Sequence, residues 1–478
     1  MDAVKRLSSS KIATLWVIAA IQFLTPFMFS SIGVALPAIG TEFGANAVQL
    51  GLVTMTYTLG VSLFLLPMGR FADIHGRRKI FVAGALVMAL ATLALAFSPN
   101  INLILFCRFV QGIGAAMITS TSLAIVTSVF PPERRGRAMG IVLACTYLGV
   151  SSGPLVAGFM VEYLTWRWIF YFAAAVSALS FLYALFGLRG EWADAKDESF
   201  DYLGILLYMP ALSLLIVGVL ERREIMKLLE YWQLPGDYWI GIAAVGVAGL
   251  VFFLVYESRV SQPMLPVRTI IHNRIFFYSN IATLLNYAAS FAVAFFFSIY
   301  LQVALGASPK NTGLILVIQP LIQTVCSPLV GRLTERWPAS NLATLGMIFC
   351  AVGISAASFL TADSNLLEIF PVLVLMGLGF GFFAAPNNLV IMSSVPRRQY
   401  GMASSVIATM RTLGMLVSMT ITTVLLDLHL DKRQVGPETV GEFVASQQMA
   451  MWIFAGLSLV GVFFSVQRLA PKNTKSVE

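Results

Sequence analysis

The sequence predicts an all-α polytopic membrane protein with fourteen transmembrane helices in a 6+2+6 arrangement. Three observations predict this fold class: the composition, a series of long apolar segments and an internal repeat. The 478 residues are 58% hydrophobic and only 11% charged, with a mean hydropathy of +0.83, whereas a soluble chain carries about 25% charged residues. The composition therefore argues against a soluble enzyme, a disordered chain and a nucleic-acid-binding protein.

Fourteen apolar segments, each bounded by charged residues, Pro or Gly, are the predicted helices, numbered here as spans 1 to 14. Each is close to the roughly 20 residues that a membrane-spanning helix needs. Span 1 follows three basic residues and is too long for a signal-peptide core, so we expect it to be retained. The predicted spans are residues 13–38, 47–68, 79–98, 101–125, 138–161, 167–188, 202–220, 238–256, 275–302, 311–331, 340–361, 366–392, 401–426 and 447–467.

The distribution of basic residues predicts the orientation of the chain. With a cytoplasmic N-terminus, 22 of the 31 Lys and Arg residues fall in cytoplasmic segments, seven fall outside, and Arg108 and Arg411 fall within spans. Basic residues concentrate in cytoplasmic loops, so both termini are expected in the cytoplasm of a plasma or inner cell membrane. The same bias accounts for the formal charge of +8 without any nucleic-acid partner.

Three short motifs recur at a nearly constant spacing. Gly69–Asp73 is echoed 262 residues later by Gly331–Glu335, and similar echoes relate the glycines of spans 4 and 12 and the segments around Gly136 and Gly401. Parallel repeats of six helices are typical of secondary transporters, whose substrate path lies at the repeat interface. The predicted regions are a six-helix bundle 1–190, a two-helix insertion 200–258, a second six-helix bundle 270–468 and a cytoplasmic tail 469–478.

The segment after span 2 predicts a conformational latch. It reads Gly-Arg-Phe-Ala-Asp-Ile-His-Gly-Arg-Arg-Lys and is expected to form a loop in which Asp73 pairs with neighbouring arginines. The simpler alternative is a solvated basic loop that only fixes topology. The candidate gating residues are Gly69, Arg70, Asp73, Gly76, Arg77 and Arg78.

This segment resembles the signature between helices 2 and 3 of the major facilitator superfamily. Arg108–Ala116 resembles the helix 4 motif of that superfamily, and Gly149–Gly158 resembles the helix 5 motif of its antiporters. The latter adds the gating candidates Gly149, Gly153, Pro154 and Gly158. Val34–Pro37, Trp166–Phe170 and Tyr300–Gly306 are similar to the fourteen-helix drug:proton antiporter family in particular. The resemblance implies the major facilitator fold and export of amphipathic compounds, usually against inward proton flow.

Two features of the spans bear on whether transport is coupled to proton flow. The family commonly has an Asp in helix 1 where this chain has Met28, and none of the 23 acidic residues falls near the middle of a predicted span. Arg108 and Arg411 do fall within spans, and an intramembrane ionisable residue is a functional candidate by default. The alternative for each Arg is a structural role, bonded to backbone carbonyls or side-chain amides.

Amide and aromatic side chains inside the spans are the remaining candidates. Such groups are expected to face the bundle interior, where they line a substrate cavity or join neighbouring helices. The coupling and substrate candidates, besides Met28 and the two arginines, are Gln22, Tyr57, Gln111, Tyr147, Asn286, Tyr287, Gln319, Gln323 and Asn387.

The predicted function is secondary active export of amphipathic organic compounds by alternating access, and the alternative is a lipid or organic-anion carrier with weak or no proton coupling. We expect a monomeric, non-enzymatic protein with no cofactor and no metal site. Its expected partners are a small amphipathic substrate, the lipid bilayer and, as candidate coupling ions, protons. The chain has no Gly-x-x-x-x-Gly-Lys-Ser/Thr loop, so ATP is not the expected energy source.

Overall fold

All fourteen predicted spans are helices. The computed structural model describes residues 2–130, 132–188, 190–193, 199–220, 238–334, 336–396, 400–431 and 433–468, and none of these residues lies in a β-strand. Within them, fourteen helices are long and apolar enough to cross a membrane. The predicted number of spans is therefore confirmed.

The helices overlap all fourteen predicted spans, but several are longer than predicted: span 1 begins at Asp2 instead of residue 13. Spans 1 to 6 are Asp2–Phe43, Ala47–His75, Arg77–Ala96, Ile101–Val129, Pro132–Tyr163 and Arg167–Gly187. Spans 7 and 8 are Tyr202–Leu220 and Tyr238–Glu257, followed by a short helix Val267–His272. Span 9 consists of Arg274–Ser290, Val293–Ile299 and a π-helical turn Tyr300–Ala304. Span 10 consists of Pro309–Leu316 and Ile318–Leu333. Spans 11 to 14 are Ala339–Ala357, Leu366–Ser393, Tyr400–Leu430 and Val440–Gln467, the last preceded by a 3-10 turn at Pro437–Thr439.

Some predicted features lie outside the described residues. They are the tail 469–478, the connection 221–237 between spans 7 and 8, and the charged residues Arg189, Lys196, Glu335, Arg397, Arg398 and Lys432.

The end of span 2 differs from the prediction. The helix does not stop at residue 68 but continues through the whole Gly69–Asp73 motif to His75. The predicted loop is reduced to Gly76, whose φ of 118° suits glycine and whose N–H donates to the Ala72 carbonyl at 2.9 Å. Hydropathy marks where a helix leaves the apolar layer, not where it ends, so a polar helical extension is read from sequence as a loop.

By backbone contacts the chain divides into two compact units. Unit 1 is Met1–Val267, Ala294–Val317 and Met419–Gln447, and unit 2 is Arg268–Val293, Ile318–Ser418 and Gln448–Glu478. Unit 1 thus combines spans 1 to 8 with parts of spans 9, 10, 13 and 14. The division of the sequence into halves 1–190 and 270–468 stays a prediction.

Glycine contacts bring the spans of unit 1 together at backbone distance. A Cβ atom on Gly60 of span 2 would lie 3.2 Å from the Cα of Gly112 on span 4, and one on Gly112 would collide with the Tyr57 carbonyl. Small residues at helix interfaces allow this approach in a membrane. The contact places Tyr57 of span 2 beside the segment of span 4 that carries Arg108.

The core of unit 2 forms where spans 9, 11 and 12 meet. Ala282, Ala343, Met347 and Phe383 are buried there together. Spans 11 and 12 also approach at backbone distance, because a Cβ atom on Gly346 would lie 2.6 Å from the Gly379 carbonyl oxygen. This tight packing fixes the helices that carry the polar residues of unit 2.

Candidate substrate path and gating contacts

Arg108 is the centre of a buried polar cluster in unit 1. Its side chain is fully buried. Nε donates to the Val53 carbonyl at 3.1 Å and Nη1 donates to Gln111 Oε1 at 2.6 Å. The Gln111 amide in turn donates to the Thr92 hydroxyl at 2.7 Å. Spans 2, 3 and 4 are therefore joined through one guanidinium group.

The charge of Arg108 is held without a carboxylate among the described residues that bond to it. The guanidinium carbon lies 4.5 Å from the centroid of the Tyr57 ring, a cation–π geometry. Arg108 Nη2 and the Tyr57 hydroxyl are buried and have no hydrogen-bond partner in the described part of the chain. We define Arg108, Tyr57, Gln111 and Thr92 as the Arg108 cluster. It is a cationic site in which one hydrogen-bond donor, Arg108 Nη2, has no partner among the described residues.

Span 5 meets the start of span 10 through paired glycines. A Cβ atom on Gly158 would lie 2.6 Å from the Pro309 carbonyl oxygen and 3.3 Å from the Gly313 Cα, and one on Gly313 would collide with the Pro154 carbonyl. We call this contact, with Lys310 beside it, the outer seam, because it lies at the predicted outer ends of both spans. Lys310 Nζ donates to the Tyr163 hydroxyl at 3.0 Å.

Further hydrogen bonds of unit 1 accompany the outer seam. Ser298 donates to the Gly33 carbonyl at 2.6 Å, and Gln302 donates to the Val34 carbonyl at 3.2 Å. The Gln302 bond links two of the segments that resemble the antiporter family, Val34–Pro37 and Tyr300–Gly306. The acceptors of these two bonds are both backbone carbonyls of span 1.

The other glycines of the span 5 motif face span 1. A Cβ atom on Gly149 would collide with the Phe23 carbonyl, and one on Gly153 would collide with the Ser30 hydroxyl. The motif therefore serves two neighbours: Gly149 and Gly153 pack on span 1, whereas Gly158 and the Pro154 carbonyl meet span 10.

The predicted latch residues lie at the junction of spans 2 and 3. Asp73 pairs with Arg77 at 2.7 Å, four residues further along the chain, and Arg77 also donates to Ser128 at the end of span 4 at 3.3 Å. Arg78 donates to the Leu185 carbonyl at 2.9 Å. The arginines thus join spans 3, 4 and 6 at their predicted cytoplasmic ends, and the latch role stays a prediction.

Unit 2 holds a second polar group near the middle of its helices. The Arg411 guanidinium of span 13 faces the Tyr287 hydroxyl of span 9, and the Tyr287 ring contacts Phe380 at 5.6 Å between centroids. Asn286 is fully buried, and neither its carbonyl nor its amide group has a partner in the described part of the chain.

The remaining candidates differ in burial. Met28 is fully buried in span 1, whereas the other side chains of this group are half-buried: Gln22, Tyr147, Gln319 and Gln323. Their roles stay predictions.

The chain matches the family model of the Major Facilitator Superfamily over residues 18–269 and 280–478. It belongs to this superfamily. The predicted family and fold class are confirmed. The proteins of this superfamily are transporters, not enzymes, so we interpret the clusters described above as parts of a transporter.

Several named relatives of this major facilitator protein are drug-resistance transporters. The chain is 30% identical over 385 residues to the multidrug resistance protein Stp of Mycobacterium tuberculosis (80% of this chain, 70% of that one). It is 30% identical over 406 residues to the puromycin resistance protein pur8 of Streptomyces alboniger (83% and 78%). It is also 26% identical over 458 residues to the riboflavin transporter RibZ of Clostridioides difficile (94% and 97%).

A solved structure supports the fold independently. The chain superposes on a bacterial homologue of the human lysosomal transporter Spinster with a TM-score of 0.64 at 16% sequence identity, covering 97% of both chains. At this identity the likeness concerns the fold alone.

The sequence analysis of this transporter missed Arg468. The sequence predicts it as one of the cytoplasmic basic residues, whereas the structure buries it beside spans 9, 11 and 12, with 8% of its surface exposed. It donates to Asn387 Oδ1, to Ser279 Oγ at 3.1 Å and to Ser465 Oγ at 2.7 Å. Burial lowers the pKa of Arg468 to about 10. Asn387, predicted to line the substrate path, is thus hydrogen-bonded to this arginine.

Proposed function

We propose that this major facilitator protein exports amphipathic organic compounds of the multidrug type by alternating access, driven by an ion gradient. The drug-resistance relatives support the export of organic compounds. The observation that carries the mechanism is the outer seam, where span 5 and span 10 meet through glycines and backbone carbonyls.

The chemistry of the outer seam suits a contact that opens and closes. Its packing is glycine on backbone, and the charged side chain beside it, Lys310, is not buried, so separating the surfaces leaves no buried charge without its partner. A buried ion pair would cost far more to break, because each separated charge would keep its desolvation penalty. We infer that the contact seals the external side in one state of the transport cycle and parts in the other.

The Arg108 cluster supports a preference in cargo charge. A fully buried guanidinium with an unsatisfied donor attracts anions and repels cations, and the low dielectric strengthens both effects. Neutral or anionic amphipaths are therefore the proposed substrates. Tyr57 supplies an aromatic face beside this charge, which suits flat, partly apolar molecules.

A second candidate function has its own support. Arg108 and Arg411 lie within spans, whereas no acidic residue lies near the middle of a predicted span, and proton coupling usually needs an ionisable group that samples both sides. The alternative is a lipid or organic-anion carrier of the same fold with weak or no proton coupling.

The proposal also includes the orientation of the chain in the membrane, the type of membrane and the oligomeric state. The distribution of basic residues supports a cytoplasmic location of both termini, and the bacterial drug-resistance relatives favour the plasma membrane. A monomer is the proposed transporting unit.

Transport in proteoliposomes under an imposed pH gradient tests both candidates. Purified protein is assayed with a monoanionic, a neutral, a monocationic and a dicationic fluorescent dye, with protein-free liposomes as the background. Gradient-dependent flux of anionic and neutral dyes supports the proposed exporter. If the flux of the anionic dye or of a labelled lipid does not depend on the imposed pH gradient, the result supports the alternative function. Robust flux of a permanent dication contradicts the charge preference.

A further inference from the structure

Arg468 lies at the wall of a cavity at the end of span 14. The cavity has a volume of about 290 Å³ and is lined by Arg468, by three serines (Ser340, Ser393 and Ser394) and by apolar side chains such as Ile275. Drug-sized ligand pockets begin near 300 Å³, so this cavity suits a small group or a headgroup. Its residues all belong to unit 2.

The hydrogen-bond partners of Arg468 in the described residues are all neutral. Besides the Asn387, Ser279 and Ser465 side chains, its guanidinium donates to the Ser340 carbonyl at 3.2 Å. Nε is buried and has no partner in the described part of the chain. A buried charge without a counter-charge is unfavourable, so the arginine is poised to take an anion.

The beginning of span 11 supplies a second positive element. The helix Ala339–Ala357 starts at the cavity, and both Ala339 and Ser340 line it. The first amides of a helix have no acceptor within the helix, and the helix dipole favours negative charge there. Backbone amides and an arginine together form the usual environment of a bound phosphate group.

We propose that this cavity binds a phosphate group at the predicted cytoplasmic face of the transporter, held by Arg468 and the amino end of span 11. Span 14 ends at Gln467, so Arg468 directly follows the predicted cytoplasmic end of this span. The same chemistry fits the headgroup of an anionic phospholipid and a free inorganic phosphate. Phosphate binding at this site does not depend on the proposed transport function.

Thermal unfolding of the purified full-length protein tests the site. One arm titrates sodium phosphate against sodium chloride at matched ionic strength, and the other titrates short-chain phosphatidylglycerol against a neutral short-chain diacylglycerol. We expect a saturable rise in Tm of about 2–4 °C in at least one arm. A rise only with phosphate identifies a soluble anion, and a rise only with phosphatidylglycerol identifies a lipid headgroup.

Matched variants separate the site from general charge effects. Arg468→Gln should abolish the ligand-dependent rise, whereas Arg332→Gln, at an exposed arginine on the same predicted side, should keep it. Ser393→Asp, at an exposed residue of the lining, places a carboxylate near Arg468 and should also abolish the rise if Arg468→Gln fails to fold. No rise in the wild-type protein with either ligand, or an equal rise in Arg468→Gln or Ser393→Asp, would overturn the proposal.

Discussion

Gly158 of span 5 and Gly313 of span 10 meet so closely that a side chain on either residue has no room. A Cβ atom on Gly158 would lie 3.3 Å from the Gly313 Cα and 2.6 Å from the Pro309 carbonyl oxygen. The obstacle is backbone, which cannot rotate away as a flexible side chain can. A single methyl group on either glycine is therefore expected to disturb the outer seam.

Gly158→Ala should destabilise the closed outer seam. Overpacking a tight contact costs about 1–3 kcal/mol, which shifts a two-state equilibrium roughly 5- to 150-fold. We expect slower transport at normal expression, and faster reaction of a membrane-impermeant thiol reagent with the Lys310→Cys background. The matched control is Gly456→Ala, because a Cβ atom at that glycine meets no atom within 4 Å. Wild-type transport and labelling in Gly158→Ala would contradict the gating role.

Asp73→Asn should lower the transport rate while expression and ligand binding stay near normal. The Asp73–Arg77 pair is partly exposed, with 38% of the Asp73 side chain accessible, and such pairs contribute only about 0–1 kcal/mol to stability. An effect on transport without a change in Tm therefore indicates a role in the conformational change. Asp363→Asn, at an exposed residue in the connection between spans 11 and 12, is the control. Unchanged transport in Asp73→Asn would leave the motif as a topology signal.

Arg108→Lys should impair transport although the charge is kept. The guanidinium donates in two directions, to Val53 through Nε and to Gln111 through Nη1, and the single ammonium group of lysine does not reproduce this fork. A hydrogen bond to a charged group contributes about 1.5–3 kcal/mol, so the rate should fall roughly tenfold or more. Full activity in Arg108→Lys would show that only the charge matters.

Substitutions of Tyr57 test the aromatic contact to Arg108 separately. The hydroxyl has no partner in the described part of the chain, so Tyr57→Phe should transport like the wild type. Tyr57→Leu removes the ring face and should lose about 0.5–2 kcal/mol of cation–π attraction, seen as lower flux. Equal flux in the two variants would argue against a role for the ring.

Met28→Asp should extend transport towards cationic compounds and make flux more dependent on the pH gradient. Methionine cannot titrate, and Met28 is fully buried, so a carboxylic acid there adds the acidic group that the predicted spans lack near their middle. Flux of anionic and cationic dyes against imposed pH gradients gives the measurement, with Met28→Leu as the volume-matched control. Steep, strictly proton-driven flux in the wild type would contradict the expectation of weak coupling.

The number of helices and the superfamily are the features of this protein that its sequence predicts, from the apolar segments and from short motifs respectively. Fourteen apolar segments predict fourteen helices, because a membrane span must satisfy its backbone internally. The start of span 5 is less predictable: the helix begins at Pro132 instead of residue 138, since its polar first turns lie outside the apolar segment.

The candidate site is only partly predictable for a different reason. Arg108 and Gln111 are three residues apart on one helix, so their contact follows from helical spacing. Their partners Val53 and Thr92 lie on other spans, and the choice of those neighbours depends on tertiary packing. Arg468 gives no sequence signal at all, because a basic residue at the end of a span is normally exposed.

Spans 7 and 8 have a consequence for how this family diversifies. The two helices pack on each other through their own glycines, for example with a Cβ atom on Gly218 only 2.7 Å from the Ala243 nitrogen. Tyr208 of span 7 attaches to span 2 by donating to the Ser62 carbonyl at 2.8 Å. Because the two helices pack mainly on each other, they can be regarded as one structural unit. Its gain or loss changes the number of helices by two, keeps every later loop on its original side of the bilayer, and requires no new interface within either predicted six-helix repeat.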